Sequence, residues 1–171
     1  MKYIVIDIET TGLYPEKGDK IIELAALPII DDQPILEESF NSLVNPEEKI
    51  PDKIVELVHI TDEMVENAPK LIEVLPDFLK YINNSPLIAH NAPFDIGFLN
   101  HYLKRYGFGF INNRIIDTLV LSKEVFDNEK RHSLDAVAKR LGLKYENIQR
   151  HRALGDVILT ANVFLKLKNM L

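Results

Sequence analysis

Two carboxylates, Asp7 and Glu9, stand in the stretch IVIDIETTGL, residues 4–13, which otherwise reads as a buried β-strand running into a turn. Side chains alternate along a strand, so both acids share one face while Ile6 and Ile8 take the other. Paired like charges near a sheet surface resist burial and need a reason. One reason is a strand end where both reach water. The other is a hard divalent cation, Mg²⁺ or Mn²⁺, which takes oxygen ligands from a few carboxylates and keeps waters for its substrate. Two further segments offer similar groups. In HNAPFDIGFL, residues 90–99, Asp95 falls in the first turn of a helix directly after a buried strand. In HRALGDVILTA, residues 151–161, Asp156 lies early in the last helix and His151 five residues before it. Taken singly, each acid reads equally well as a helix-start or surface carboxylate, and His151 as a loop histidine.

The elements that must position these groups follow from hydrophobic periodicity. Residues 3–8 predict a first strand. KIIELAALPII (20–30) and ILEESFNSLV (35–44) predict two more, joined by the turn-like DDQP into an antiparallel meander. A Pro-rich loop leads to a short helix near 52–58. Thr61 reads as an N-cap, with Asp62 and Glu63 in the first turn where the helix dipole favours them. Pro69 suits the first turn of a further helix, whose apolar stripe is Leu71, Ile72, Leu75, Phe78, Leu79 and Ile82. PLIAH (86–90) is a short buried strand, FDIGFLNHYLKRYG a helix stopped by Gly107, and RIID a last strand followed by a helix from about 118. Ser133 caps another helix ending at Gly142. The final helix carries Leu154, Ile158, Ala161 and Leu165 on one face, with Asp156 off the centre of that stripe. Strands as a meander, then strands alternating with helices, predict an α/β domain with a mixed sheet.

Composition narrows the chemistry. The chain has 171 residues, 46% of them hydrophobic, enough for one domain with a real core over residues 1–171. It has no cysteine, which excludes a disulfide framework, thiolate metal sites and a cysteine nucleophile. No apolar run reaches the ~20 residues of a membrane span. A charged strand follows Met1 at once, so no signal peptide is expected and the cytoplasm is the expected compartment. The net charge is −6, yet residues 130–152 carry seven basic and two acidic residues. Such a segment is either a local phosphate footprint or the solvated faces of ordinary helices.

In this order and context the three acidic segments resemble the three exonuclease motifs of the DEDD superfamily. DIETTGL is similar to the first, HNAPFD to the second, and His-x4-Asp at 151–156 to the third, in its His-type branch. The likeness is closest to the proofreading epsilon-subunit family of bacterial DNA polymerase III and its Gram-positive-type counterpart. ITDEM, IDTL and HSLDAVAKRLGL fall in the same order, so it covers nearly the whole chain.

The resemblance implies a ribonuclease-H-like fold: a mixed five-stranded sheet, antiparallel meander plus parallel strands, flanked by helices. It implies that Asp7, Glu9, Asp95 and Asp156 hold two divalent ions, Mg²⁺ or Mn²⁺, and that His151 is the general base. Two such ions would return four of the six negative charges, so overall acidity is no objection to nucleic acid. Thr10, Thr11, Gly12 and Leu13 would hold the 3′-terminal nucleotide by backbone and side chain, with Leu13 as a wedge and Gly12 permitting close backbone approach. Phe94 would pack near that nucleotide, and His90 and Asn91 would bind or brace at the site edge. The family has a glycine before the Ile-Thr that is here Ile60-Thr61. Whether His59 replaces that glycine or the glycine is deleted stays open, as does substrate contact by His59. His101 and His132 read as surface or capping residues, Asp117 and Asp135 as helix-start acids. The implied partner is single-stranded DNA or a frayed 3′ end, with a DNA polymerase catalytic subunit as a second candidate and no membrane. Alternatives are a 3′–5′ exoribonuclease on short RNA, against which ETTG leans, and a noncatalytic polymerase-associated module. Epsilon-type members continue into a polymerase-binding tail. The sequence stops at Leu171, so a stand-alone enzyme and a piece of a longer one both stay open.

Overall fold

The first strand, β1 (Lys2–Thr10), fills the centre of the sheet and separates two cores. Ile4, Ile6 and Ile8 pack on one side with Leu75, Phe78, Phe98 and Leu99. Tyr3 and Val5 pack on the other with Val157, Ala161 and Phe164. Strand alternation therefore aims Asp7 and Glu9 at the second side, where the C-terminal helix lies. The computed structural model describes residues 2–171; Met1, where the expected domain begins, lies outside the described residues.

β2 (Ile21–Ile30) runs antiparallel to β1 in a register that sets Glu9 opposite Glu23 and Asp7 opposite Ala25. The register shifts between Glu9 and Thr10, a bulge that turns the chain away just after the acids. Asp31 and Asp32, both at positive φ, make the two-residue hairpin turn into β3 (Gln33–Pro34). Of the strand expected over 35–44 only Phe40–Leu43 forms, and β3 falls within the stretch expected as the DDQP turn. After β3, a 3₁₀ turn at Leu36–Glu38 precedes β4 (Phe40–Leu43), which returns to pair with β2. Consecutive Glu37, Glu38 and Ser39 have no alternating apolar partner to bury, so the ladder breaks there.

α1 (Asp52–Val58) and α2 (Asp62–Val65) follow, and Thr61 caps α2 by accepting from the Met64 N–H. α3 (Leu71–Ile82) starts one residue beyond Lys70, so Pro69 precedes the helix instead of occupying its first turn; its carbonyl accepts from Asn45 N–H at 2.9 Å. Val74 completes the buried stripe of α3, while Ile72 lies on the exposed side, a full 100° around from Leu71.

β5 (Leu87–Ala89) lies parallel to β1, and β6 (Ile115–Asp117) parallel to β5, giving the order β3-β2-β1-β5-β6 with β4 on β2. This is the mixed, ribonuclease-H-like α/β architecture expected, but with six strands where five were expected, because the chain pairs with β2 twice after the hairpin turn, as β3 and as β4. α4 (Ala92–Arg105) links β5 to β6, and Gly107 at φ +76 ends its run. α5 (Thr118–Val125), α6 (Leu134–Arg140) and α7 (Ala153–Lys168) complete the chain. Ser133 caps α6 through the Ala136 N–H.

α7 is buried more widely than one stripe. The sheet covers Val157, Ala161 and Phe164, and α6 covers Leu159, Val163 and Leu167. A helix enclosed on two sides reads as apolar nearly all round, which blurs its periodicity. Leu154, Ile158 and Leu165 lie at the margin of the sheet contact. Among the described residues, no helix is long and apolar enough to cross a membrane.

Candidate active site

The carboxyl ends of parallel strands β1, β5 and β6 lie side by side, a position where α/β sheets present their ligands. Asp7 and Glu9 come from the end of β1, Asp156 from the first turn of α7, and one oxygen of each lies within 4.8 Å of the others. Asp95, in the first turn of α4, is 3% exposed and accepts from the Ile8 N–H at 3.1 Å. It is held against the backbone between the two strand acids. All four carboxylates project from regular elements, so their spacing is fixed by the fold and not by loop conformation.

Their electrostatics register the crowding. Burial pushes the Glu9 carboxyl up to about 8, and the charges of Glu23 and Asp95 add to it. Burial lifts Asp95 to about 8 against the pull of the Ile8 N–H. Asp7 is raised by burial first, then by Asp95 and Glu9. A set of oxygen donors that cannot all ionise without a counter-charge fits a hard divalent cation. The donors gathered here, Asp7, Glu9 and Asp156, are carboxylates, which suits Mg²⁺ or Mn²⁺ better than soft-ligand metals.

The sign of a linked prediction follows. A carboxyl whose folded pKa is raised stabilises the protein below its unfolded value, near 4.5 for glutamate. That contribution is lost as pH rises to about 8. Metal-free protein should therefore melt lower at pH 8 than at pH 5, by on the order of 5 °C. Binding of Mg²⁺ or Mn²⁺ at pH 7 should release protons. Calorimetry in buffers of different ionisation enthalpy measures that release, and an enthalpy independent of buffer would contradict the crowding.

His151 lies just before α7 at φ +60, largely exposed, with its backbone N–H 3.3 Å from Asp156 Oδ1. Burial and the neighbouring Arg150 lower its pKa; Asp135 opposes them, and His59 lowers it further. His59 is therefore within electrostatic reach of His151. It ends α1 at φ +57 and ψ +30, the left-handed conformation glycine favours.

Around the acids, several expected contacts are differently occupied. The Thr10 hydroxyl donates to the Gly12 carbonyl at 2.6 Å, and the Thr11 hydroxyl accepts from Lys20 N–H at 2.8 Å. Both side chains are buried in shaping the turn. Gly12 is needed for a close approach, but the group that approaches is the Asp19 carboxylate, which a Cβ would strike. The Asp19 carboxylate in turn accepts from Tyr14 N–H at 2.8 Å. Leu13 is 65% exposed, free to act as a wedge. With Tyr14, Phe94, His101 and Phe110 it lines an open cleft of about 460 Å³.

Of the two roles expected for His90, the structure shows bracing. Its Nδ1 bonds Thr118 Oγ1 at 2.9 Å and its Nε2 the His132 carbonyl at 2.8 Å, so both nitrogens brace the fold. Burial lowers its pKa, which keeps the ring neutral with Nε2 donating. Asn91 is exposed at φ +66. Asp117 accepts from the Asn91, Ala92 and Leu119 N–H groups, capping two helices as expected of a helix-start acid. His132 bonds Ser122 Oγ and the Glu129 carbonyl.

Four residues of the site escape sequence reasoning. Glu23 is 0% exposed, lies opposite Glu9, and holds Arg152 through two oxygens while accepting from Ala153 N–H at 2.6 Å. It clamps the start of α7. Arg150 bridges Asp135 (2.7 Å) and Asp156, lending a positive charge to the acid cluster. Gly155 lets the backbone of Gln149 press against α7, where a Cβ would collide with the Gln149 carbonyl. The one available signal is a lone acid, Glu23, inside the otherwise apolar KIIELAALPII. Glu23→Ala would leave Arg152 without its partner and free the first turn of α7. The expected loss is about 3–5 kcal/mol in a denaturant titration.

Against known proteins, the family model described as Exonuclease matches residues 4–164. A DNA polymerase III subunit epsilon-like protein of Rhodobacter capsulatus is 42% identical over 98% of this chain, which spans 24% of that relative's length. A PolC-type DNA polymerase III of Staphylococcus haemolyticus is also 42% identical, over 96% of the chain and 11% of the relative. Among solved structures, exonuclease X in complex with 5′-overhanging duplex DNA is 27% identical with a TM-score of 0.77. That match covers 98% of this chain and 91% of the other.

Proposed function

This chain belongs to the exonuclease family, and on that footing we propose that it removes nucleotides from the 3′ end of DNA and releases 5′-mononucleotides. The observation that carries the reading is the convergence of Asp7, Glu9 and Asp156 beside Asp95, with His151 at the mouth of the cluster and the Leu13–Phe94 cleft beside it. These acids fit a pair of divalent ions, Mg²⁺ or Mn²⁺, which when bound would supply activation of a water and charge stabilisation at the leaving 3′ oxygen.

The chain's own groups do the rest. Asp7, Glu9, Asp95 and Asp156 hold the cations. Leu13 wedges against the terminal base while Phe94, packed at a tilt on Phe98 with ring centroids 5.0 Å apart, forms the opposite wall. Backbone groups of residues 10–12 border the terminal sugar. His151, held neutral near pH 7 by its lowered pKa, accepts the proton of the attacking water. Residues 1–171 are assigned to one nuclease domain acting in the cytoplasm. A DNA polymerase catalytic subunit is the proposed partner, because both curated relatives carry polymerase III names and are far longer than this chain. Co-purification from the source cell tests that pairing.

The decisive experiment is digestion of a single strand labelled at its 5′ end, with Mg²⁺ or Mn²⁺ and with chelator. Stepwise shortening that needs metal, and is slower on a matched RNA, is expected. Endonucleolytic fragments or metal-independent cutting would refute the proposal, and faster loss of the RNA would transfer it to an exoribonuclease.

A further inference from the structure

On the α7 side of the sheet, across the site from the Leu13–Phe94 cleft, the α5–α6 connection and α6 enclose an open groove of about 930 Å³. Lys130, Arg131, Lys139, Arg140 and Tyr145 line it, together with Glu129 and Asp135. The two acids are already matched. Glu129 pairs with Arg140 at 3.0 Å, and Asp135 pairs with Arg150 at 2.7 Å. Arg140 also donates to the Arg131 carbonyl and lies over the Phe126 ring, with its Nη1 left without a hydrogen-bond partner. Lys130, Arg131 and Lys139 are exposed and form no ion pair among the described residues. On a chain of net charge −6, three unmatched cations thus gather on one groove.

The groove is joined to the acid cluster by two routes. Asp135, in its wall, shares Arg150 with Asp156. His132, between Arg131 and α6, accepts from His90 Nε2 at the end of β5. The site is therefore flanked by an aromatic cleft on the α4 side and a cationic groove on the α6 side. These suit the two chemistries of one ligand: bases on the first, a repeating line of phosphates on the second.

We propose that this groove binds the sugar-phosphate backbone of single-stranded DNA upstream of the scissile bond, with Lys130, Arg131 and Lys139 contacting successive phosphates. The proposal rests on the nuclease reading above and adds a backbone-tracking surface to it. Arg140, pinned by Glu129 and Phe126, shapes the groove wall.

The test replaces Lys130, Arg131 and Lys139 together by Gln; all three are exposed and form no ion pair among the described residues, so folding is preserved. A small ester, the p-nitrophenyl ester of thymidine 5′-monophosphate, reaches the acids but not the groove. Variant and wild type should cleave it with equal kcat/KM. On a thymidine strand of about twenty nucleotides the variant's KM should rise about tenfold, and the slope of log(kcat/KM) against log[salt] should become shallower by about 2. Fluorescence anisotropy with the same strand, in chelator at low salt, should show weaker binding by a similar factor. Unchanged KM, salt slope and anisotropy would overturn the groove, as would an equal loss on the small ester. Wild-type protein that cleaves neither substrate would overturn the nuclease reading instead, and the anisotropy comparison alone would then decide the groove.

Discussion

Asp7→Asn should abolish hydrolysis and, in metal-free protein, raise the melting temperature. The two effects have one cause. Burial pushes the Asp7 carboxyl up, and the charges of Asp95 and of Glu9 on its own strand face add to it. An amide of the same shape removes one of these mutually repelling acids, so the folded protein no longer has to bind a proton there at neutral pH. The expected gain is on the order of 1–2 kcal/mol, or a few degrees for a domain of this size. The same change takes away an anionic oxygen from the group of three that lies within 4.8 Å. Activity should fall on the order of 10³-fold or more. Mg²⁺ or Mn²⁺ should stabilise the wild type in a thermal melt through its preferential binding to the folded state, and should stabilise Asp7→Asn far less. A variant that melts lower without metal, or that keeps its metal-induced shift, would show that Asp7 is a structural acid and that the cation lies elsewhere.

Asp7, Glu9 and the strand that carries them are legible in the sequence because the relevant pattern is local: period two, apolar on one side, acid on the other. The helix caps at Thr61 and Ser133 are legible for the same reason, since each cap bonds three residues ahead. What fails is pairing across long separations. Glu23 and Arg152 are 129 residues apart, and nothing in either neighbourhood says that one will cover the other. Arg150 and Arg152 register in the sequence only as charge, whereas the fold spends them on Asp156 and Glu23. The breadth of the buried surface on α7 is invisible for a related reason: it depends on α6 arriving on its second side. Thr10 and Thr11 show the converse limit. Their position beside the acids was readable, but their hydroxyls are consumed by turn contacts that only the folded chain reveals. The left-handed backbone at His59 is likewise invisible in one-dimensional spacing.

His151→Asn should lower kcat by about 10²–10⁴-fold while leaving metal affinity and melting temperature close to wild type. Asparagine is the suitable replacement because residue 151 sits at φ +60, a conformation asparagine tolerates and most other residues do not. Among the described residues His151 bonds through its backbone N–H to Asp156, and that bond survives the substitution. A loss confined to kcat therefore separates a proton-accepting role from a merely structural one. The pH dependence sharpens the test. Burial and Arg150 hold the imidazole below its usual 6.5, so the wild-type rate should rise along an acidic limb centred below that value and be level at neutral pH. In His151→Asn that limb should vanish, leaving the residual rate to follow ionisation of the metal-holding carboxylates. Arg150→Gln gives the reciprocal check: with the adjacent cation gone and Asp135 still present, the imidazole pKa should rise, and the limb should move toward higher pH. If the limb persists unchanged in His151→Asn, the general base is another group. If it fails to move in Arg150→Gln, the histidine is not the group that sets it.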